Sequence, residues 1–146
     1  MSKTVYPLTT ILTLLICCGC SQDNRPEGLP RLFPLTLTIT LDDQPLDTAV
    51  VLLHAESDAD AKWTVGSQTD VQGKAIIMTH GQFRGAPAGK FKVCVSKSTA
   101  IGEGMMLELT HDVDLLFGDP KTTPLEIEIS DIGKATNLTF NVHKPK

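Results

Sequence analysis

Residues Thr69 to Val95 read TDVQGKAIIMTHGQFRGAPAGKFKVCV, and this stretch decides the fold because it holds two strand-like segments, each preceded by a turn. The first turn runs from Asp70 to Gly73, and glycine adopts a positive φ there at no steric cost. Lys74 to Thr79 is therefore predicted to be the returning strand of a hairpin. Lys90 to Ser96 alternates apolar and polar residues, which predicts a strand with one face in a core.

The same period-two pattern occurs in the rest of the chain. Leu35 to Leu41 reads LTLTITL, whereas Val50 to Leu53 is continuously apolar and predicts a strand that is apolar on both faces. The predicted strands are Leu35–Leu41, Thr48–Ala55, Lys62–Gln68, Lys74–Thr79, Lys90–Ser96, Leu125–Ile129 and Thr136–His143. Seven short strands without a helical period predict an all-β protein, a seven-stranded antiparallel Greek-key sandwich of the immunoglobulin-like kind, with no parallel sheet.

The segment from Ser98 to Pro124 has no clear period. It is too apolar for a solvated loop, and a long connection in a compact domain usually has structure or a function of its own. We expect a short strand or a helical turn near Met105 to Thr110.

The length and charge of the chain limit the classes of protein it can belong to. A chain of 146 residues allows one domain after a targeting segment, and its hydrophobic fraction of 41% is ordinary for a globular protein. The net charge of −4 gives no reason to expect nucleic acid as a partner.

The N-terminus carries the features of an export signal. Lys3 supplies a positive charge, the apolar run from Leu8 to Cys18 is too short to span a bilayer, and polar residues begin at Ser21. The sequence LLICCGC that ends this run resembles the bacterial lipoprotein signal, with Gly19 before a lipidated Cys20. Cys18 is a poorer fit to the lipidated position, and a plain secretory signal with incidental cysteines is the alternative. We therefore expect a signal peptide over 1–19, a lipidated tether over 20–31 and a β-sandwich over 32–146.

Lipidation implies a location for the domain. Acyl chains on Cys20 anchor the protein to a membrane of a bacterial cell envelope, and palmitate is the expected label. Ser21 is not the acidic residue that retains enterobacterial lipoproteins in the inner membrane, so analogy slightly favours the outer membrane. Cys94 is the one other cysteine of the mature chain, so no internal disulfide forms, and its place in the alternation predicts an outward-facing thiol whose exposure the sequence leaves open.

Four segments together carry a family resemblance: TLDDQPLDTAVVLLHAE, GSQTDVQGKAIIMTHG, GAPAGKFKVCVSKS and DPKTTPLEIEI. In order and spacing they resemble the carboxypeptidase-regulatory-like domains, also called transthyretin-like or prealbumin-like, of envelope lipoproteins in planctomycete-type bacteria. The resemblance implies a seven-stranded sandwich without catalytic machinery that serves as a folding, adhesion or binding module. The family tends to have glycine where this chain has Asp43, a Gly-Ala pair at Thr48-Ala49, and threonine at Cys94.

The sequence offers little reactive chemistry. GAPAGKF lacks the spacing and the hydroxyl of a phosphate loop, and no G-x-S-x-G motif occurs. The histidines at 54, 80, 111 and 143 are not at metal-ligand spacing, and the acidic pairs at 58 and 60 and at 112 and 114 do not continue into a calcium loop. We expect no catalytic residue, no cofactor and no metal.

One candidate for binding is an apolar face. If Val51 and Leu53 face the core, then the apolar side chains pointing outward are those of Val50, Leu52, Ile76 and Met78. Two interpretations stay open: the segment Met105 to Phe117 folds over this set, which the apolar character of that segment favours, or the set is left exposed and marks a contact with an envelope protein or a glycan. The sequence therefore predicts a membrane-anchored, non-enzymatic accessory or interaction module, with a small-ligand or calcium carrier and a small hydrolase as alternatives.

Overall fold

The computed structural model describes residues 25–57, 61–102, 108–130 and 136–146, and the predicted signal peptide and Cys20 lie outside them. The protein is all-β, with 52% strand and 3% helix, as the sequence predicts. The strands are β1 (Leu32–Phe33), β2 (Leu35–Leu41), β3 (Gln44–Pro45), β4 (Val50–Ala55), β5 (Val65–Gln68), β6 (Lys74–Ile76), β7 (Met78–Thr79), β8 (Phe83–Arg84), β9 (Ala86–Pro87), β10 (Gly89–Ser96), β11 (Ser98–Ile101), β12 (Glu108–His111), β13 (Glu126–Ile129) and β14 (Thr136–Val142). A 3₁₀ helix, η1, spans Leu115–Phe117.

Two larger sheets form the body of the domain. The first has six strands in the order β13-β10-β4-β5-β7-β8. The second has the order β14-β2-β3, and β6 also pairs with β2, on the edge that β3 uses. The pairs β1-β9 and β11-β12 form two small sheets. Each of the seven predicted segments contains at least one strand, and the other strands are short.

The core lies between the inner faces of the two larger sheets. β2 contributes every second residue, as its alternation predicts, and β4 and β10 do the same from the opposite side. The fully or almost fully buried side chains include Leu35, Leu37, Ile39, Val51, Leu53, Phe91, Val93 and Val95. Burying a side chain of this size contributes about 1.5–3 kcal/mol, so this two-sided apolar layer is the main source of stability.

One strand pair differs from the prediction. β14 runs parallel to β2 over seven residues, from Thr136 opposite Leu35 to Val142 opposite Leu41. The expectation of a purely antiparallel sandwich is therefore wrong for this pair. The alternation of apolar residues is the same in both directions of a strand, so the pattern contains no information about orientation.

The β2-β3 hairpin turns at two aspartates. Asp42 has φ 49° and Asp43 has φ 68°, and positive φ at both central residues is typical of a type I′ turn. Asn141 Nδ2 donates to Asp43 Oδ1 over 2.7 Å, and the Asp43 N–H donates to Asn141 Oδ1 over 3.2 Å. His143 Nδ1 lies 3.1 Å from Asp42 Oδ1. Side chains at the end of β14 thus stabilise a turn that would otherwise favour glycine.

The turn from Asp70 to Gly73 is confirmed in detail. The Gly73 N–H donates to the Asp70 carbonyl oxygen over 2.8 Å, and Gly73 has φ 74°. The strand after this turn differs from the prediction, because it breaks at the buried Ile77. β6 pairs with β2 of the four-stranded sheet, whereas β7 pairs with β5 of the six-stranded sheet. The chain therefore crosses from one sheet to the other at Ile77.

The connection after β10 has structure of its own, as expected. β11 and β12 form an antiparallel hairpin, and β12 overlaps the predicted strand near Met105 to Thr110; residues 103–107 lie outside the described residues. Val113 and Phe117 are both buried in the core. This connection closes one end of the sandwich, because the Asp114 N–H donates to the His143 carbonyl oxygen over 2.9 Å.

Candidate interaction face

The candidate site lies on the outer side of the six-stranded sheet. β4 is an interior strand, with β10 on one side and β5 on the other. Its inward residues are buried, whereas Val50 is 42% exposed and Leu52 is 36% exposed. An interior strand therefore presents two aliphatic side chains to solvent. We call the exposed side chains of Val50 and Leu52, together with the half-buried Met78, the outer-sheet face.

A glycine shapes the centre of this face. Leu52 lies opposite Gly66 of β5, and Gly66 lies opposite Met78 of β7, so the three residues form one row across the sheet. A Cβ atom on Gly66 would lie 2.8 Å from Leu52 Cδ2 and 2.4 Å from the Val51 carbonyl oxygen. The leucine side chain thus leans over the glycine towards the methionine, and a larger residue at 66 would displace it.

A groove of about 280 Å³ adjoins this face and is lined in part by Leu52, His54 and Trp63. Trp63 lies before β5, because the strand predicted over Lys62–Gln68 begins only at Val65. The Trp63 and His80 rings meet edge to face with centroids 6.1 Å apart. Lys62 Nζ lies 5.0 Å from the centre of the indole ring. The groove thus combines an aromatic wall with a nearby cation, which is a common arrangement at binding surfaces.

The structure corrects one predicted member of the apolar set. Ile76 is 46% exposed, but it lies on β6 opposite Thr36 and therefore on the four-stranded sheet. Val50, Leu52 and Met78 lie on the six-stranded sheet, so Ile76 does not share their face. The strand break at Ile77 places Ile76 on the other sheet, and the continuous apolar sequence of this segment does not reveal that break.

Cys94 is buried, which answers a question that the sequence leaves open. It lies on β10 directly opposite Leu52, on the outward side as predicted, yet it is only 4% exposed. The segment after η1 runs along this strand, and Thr123 Oγ1 donates to the Val93 carbonyl oxygen over 2.8 Å. Burial, together with the negative charge of Asp119, raises the pKa of the Cys94 thiol. A neutral buried thiol is a poor nucleophile.

Two ion pairs lie beside the apolar part of the six-stranded sheet. Lys92 on β10 lies 2.9 Å from Glu126 on β13, and this contact lowers the pKa of Glu126 and raises the pKa of Lys92. Lys97 lies 2.8 Å from Asp47, whose pKa is lowered by the hydrogen bond and the charge of the lysine. The two lysine side chains are half-buried and their carboxylate partners are exposed, and ion pairs that are open to water in this way contribute little to stability. Charged residues at the rim of an apolar area are nevertheless typical of a binding surface.

The candidates for metal binding do not converge in the described part of the chain. His54 lies on β4 and His80 after β7, whereas His111 and His143 bond separately to Ser98 and Asp42. No group of three or more histidine, cysteine or acidic residues that could hold a metal ion occurs among the residues the structure describes. Residues 58–60, which include one predicted acidic pair, lie outside them. The described ranges likewise contain no helix that is long and apolar enough to cross a membrane.

Comparisons with known proteins identify no family. No family model matches the chain, and no curated protein matches it in sequence. Among solved structures the chain is similar to BcpA, the major pilin subunit of Bacillus cereus, with 17% identity and a TM-score of 0.49. The match covers 80% of this chain and 31% of the pilin chain, so the chain spans less than a third of that protein. The fold assignment accordingly rests on the strands and sheets described above.

Proposed function

We propose that the protein is a lipid-anchored, non-enzymatic interaction module of a bacterial cell envelope, and that it binds another envelope protein through the outer-sheet face. The observation that carries this proposal is the exposure of Val50 and Leu52 on an interior strand. Isolated exposed aliphatic residues are common on protein surfaces. Here Leu52 lies in one row with the half-buried Met78 and lines the Trp63 groove, and Val50 is the next outward residue of β4, so the three form one apolar area with polar residues at its margin.

A protein partner suits this face better than a small charged ligand. The aliphatic side chains offer no hydrogen bonds, and they gain free energy only when an apolar surface covers them. Covering Leu52 and Val50 fully would add about 25 cal/mol for each Å² of apolar area removed from water. Polar residues at the margin, such as Arg84 opposite Met78, would then set the orientation of the partner.

The anchor would hold this face near the membrane. Gly28, in the predicted tether, lies beside Lys62, because a Cβ atom there would be 3.7 Å from the Lys62 Nζ. The tether therefore approaches the domain next to the Trp63 groove. Gly28 lies eight positions after Cys20 in the sequence, and eight residue steps span at most about 28 Å. If Cys20 is lipidated, the groove stays within about that distance of the bilayer surface.

We infer also that the domain belongs with the carboxypeptidase-regulatory-like sandwiches of envelope lipoproteins. The seven predicted segments, each of which contains a strand, support this assignment, as does the four-motif resemblance. The type I′ turn at Asp42 and Asp43 adapts the first hairpin to the absence of the glycine that the family tends to have. The seven-strand Greek-key description and the outer-membrane location are parts of the same proposal.

The anchor is tested by lipid labelling. Cells that make the full chain are grown with radiolabelled palmitate, and we expect label in the parent protein and none in a Cys20→Ala variant. The variant should leave the membrane fraction. If Cys20→Ala stays entirely with the membranes, the proposed anchoring is wrong.

The interaction face is tested by affinity capture from detergent-solubilised membranes with matched variants. Leu52→Lys places a charge in the centre of the face, whereas Val71→Lys places the same charge on a turn residue that is already exposed. Partners bound by the parent protein should be lost with Leu52→Lys and kept with Val71→Lys. Equal capture by the two variants would mean that the partner binds elsewhere.

A second candidate partner is a cell-envelope glycan, which the Trp63 groove favours, because sugar rings pack against aromatic side chains. Binding of soluble envelope glycan fragments that is lost in Trp63→Ala but kept in Val50→Lys would support the glycan, because Val50 lies on the outer-sheet face but does not line the groove. The calcium-carrier alternative is tested by the melting temperature, which should rise with added calcium if the acidic loops bind it. The hydrolase alternative requires turnover on a panel of esters and glycosides.

A further inference from the structure

β14 is an edge strand of unusual composition. Among the described residues it pairs with β2 alone, although it is seven residues long. Its sequence, TNLTFNV, contains no charged residue and no proline. The other edges of the two larger sheets are protected by features that natural sheets use against unwanted pairing, namely Glu126 and Glu128 on β13, the shortness of β8, Pro45 on the two-residue β3, and Lys74 on the three-residue β6. β14 has none of these features.

Hydrogen bonds at its two ends show which backbone groups of β14 are directed away from β2. The Thr136 N–H donates to the Pro34 carbonyl oxygen over 3.0 Å, and the Val142 carbonyl oxygen accepts from the Asp42 N–H over 3.0 Å. Both residues therefore direct their backbone groups towards the β2 side. Because successive residues of a strand alternate, the residues that direct N–H and C=O outward are Asn137, Thr139 and Asn141.

The side chains of the strand are also incompletely covered. Leu138 is 37% exposed and Phe140 is only partly buried, although both lie on the inner side with the core residue Val142. Asn137 and Thr139 on the outer side are exposed. Within the ranges that the structure describes, the edge therefore presents unpaired backbone groups together with apolar surface.

We propose that β14 pairs with β14 of a second copy of this chain, antiparallel and centred on Thr139. In that register Thr139 lies opposite its own copy, and Asn137 lies opposite Asn141 of the second copy. All three residues with outward backbone groups then form hydrogen-bonded pairs, which gives about six backbone hydrogen bonds across the dimer. On the inner side Leu138 lies opposite Phe140 of the second copy, and the contact covers the exposed part of the leucine.

The occupant is a second copy because the strand is complementary to itself. The antiparallel register joins Thr to Thr, Asn to Asn and Leu to Phe, and no like charges oppose one another. An interface built on one strand is smaller than the roughly 1,200 Å² of standard complexes, so the dimer is weak in dilute solution. Confinement of the copies to one membrane surface raises their effective concentration and therefore favours the dimer.

The test is disulfide cross-linking of the full chain in detergent micelles and in membrane vesicles. In the proposed register, the Cα atoms of Thr139 and its copy lie about 5.5 Å apart, which suits a disulfide. The matched control is Thr38→Cys, because Thr38 is the neighbour of Thr139 on β2 and would lie roughly 15 Å from its copy. Under mild oxidation, Thr139→Cys should form covalent dimer at least about ten times faster than Thr38→Cys. The parent chain measures the background from its own cysteines.

A second substitution distinguishes strand pairing from random collision. Asn137→Pro removes an outward N–H without removing a bond to β2, so it should abolish the cross-linking of Thr139→Cys and leave the melting temperature nearly unchanged. If the proline variant does not fold, Asn137→Lys, which adds the charge that protects natural edges, serves in its place. Equal rates for the cysteines at 139 and 38, or cross-linking that survives both edge substitutions, would overturn the proposal. Cross-linking of Thr139→Cys to a protein of another mass would overturn the second copy as the occupant.

Discussion

Among the non-glycine residues that the structure describes, Thr48 holds the most strained backbone conformation, and replacing it with glycine should stabilise the fold. Thr48 has φ 53°, a conformation that is a genuine outlier for a β-branched residue. Its side chain is exposed. These hydrogen bonds of Thr48 are made by its main chain: its N–H donates to the Thr69 carbonyl oxygen over 3.0 Å, and its carbonyl oxygen accepts from Gln68 Nε2 over 3.1 Å. Glycine keeps both of these bonds.

The size of the gain follows from two opposing effects. The left-handed conformation costs an L-residue roughly 1–2 kcal/mol, and glycine does not incur this cost. Glycine in turn loses more conformational freedom on folding, and this loss destabilises the folded state by roughly 0.5–1 kcal/mol. The free energy of unfolding of Thr48→Gly should therefore rise by about 0.5–1 kcal/mol, which corresponds to about 2–5 °C in the melting temperature.

Urea denaturation and differential scanning calorimetry of the purified protein measure this gain. Thr38→Gly is the matched control, because Thr38 lies in the middle of β2 without a positive φ, and there the same change should destabilise the protein by about 0.5–1 kcal/mol. A loss of stability in Thr48→Gly as large as that in Thr38→Gly would refute the reasoning, since it would show that the backbone at 48 is not strained.

Three other substitutions or treatments have definite expected outcomes. Thr69→Val removes the hydroxyl that accepts from the buried Ala49 N–H over 2.8 Å, so urea denaturation should show a loss of about 1–3 kcal/mol, whereas Thr69→Ser should lose less. Gly85→Ala should lower the melting temperature far more than Gly81→Ala, because a Cβ at 85 would lie 2.5 Å from a backbone oxygen and one at 81 meets nothing within 4 Å. Cys94 should react with a soluble thiol reagent only on unfolding, and rapid labelling of the native protein would contradict its burial. Because the folded protein raises the pKa of this thiol, the stability conferred by the neutral thiol is lost as the pH rises above the ordinary thiol pKa.

Local chemistry explains the parts of the fold that the sequence predicts well. β2 matches its predicted bounds of Leu35–Leu41, because seven alternating residues with one buried face permit a single register. The turn from Asp70 to Gly73 is predicted correctly, because its hydrogen bonds lie within five residues: Asp70 Oδ1 accepts from the N–H groups of Gln72 and Lys74. Such features need no information from distant parts of the chain.

Features that depend on distant parts of the chain are the ones that the sequence does not reveal. The parallel direction of β14 depends on where the chain returns after β13, and the alternation of apolar and polar residues does not depend on the direction of a strand. The crossing at Ile77 puts Ile76 on a different sheet from Leu52, and a run of apolar residues looks the same whether or not it changes sheets. Alternation likewise places Cys94 on the outward face but cannot show that a segment beyond η1 covers it.

The central claim, that the outer-sheet face binds a partner in the envelope, is tested most directly by a photoreactive amino acid placed at position 52 in cells that make the protein. Position 71 carries the same group as the control, because Val71 is also exposed but lies on a turn outside that face. Irradiation should join position 52 to one discrete envelope protein in the membrane fraction, and position 71 should give no such product. Absence of any cross-link at 52, or the same cross-link at both positions, would contradict the account.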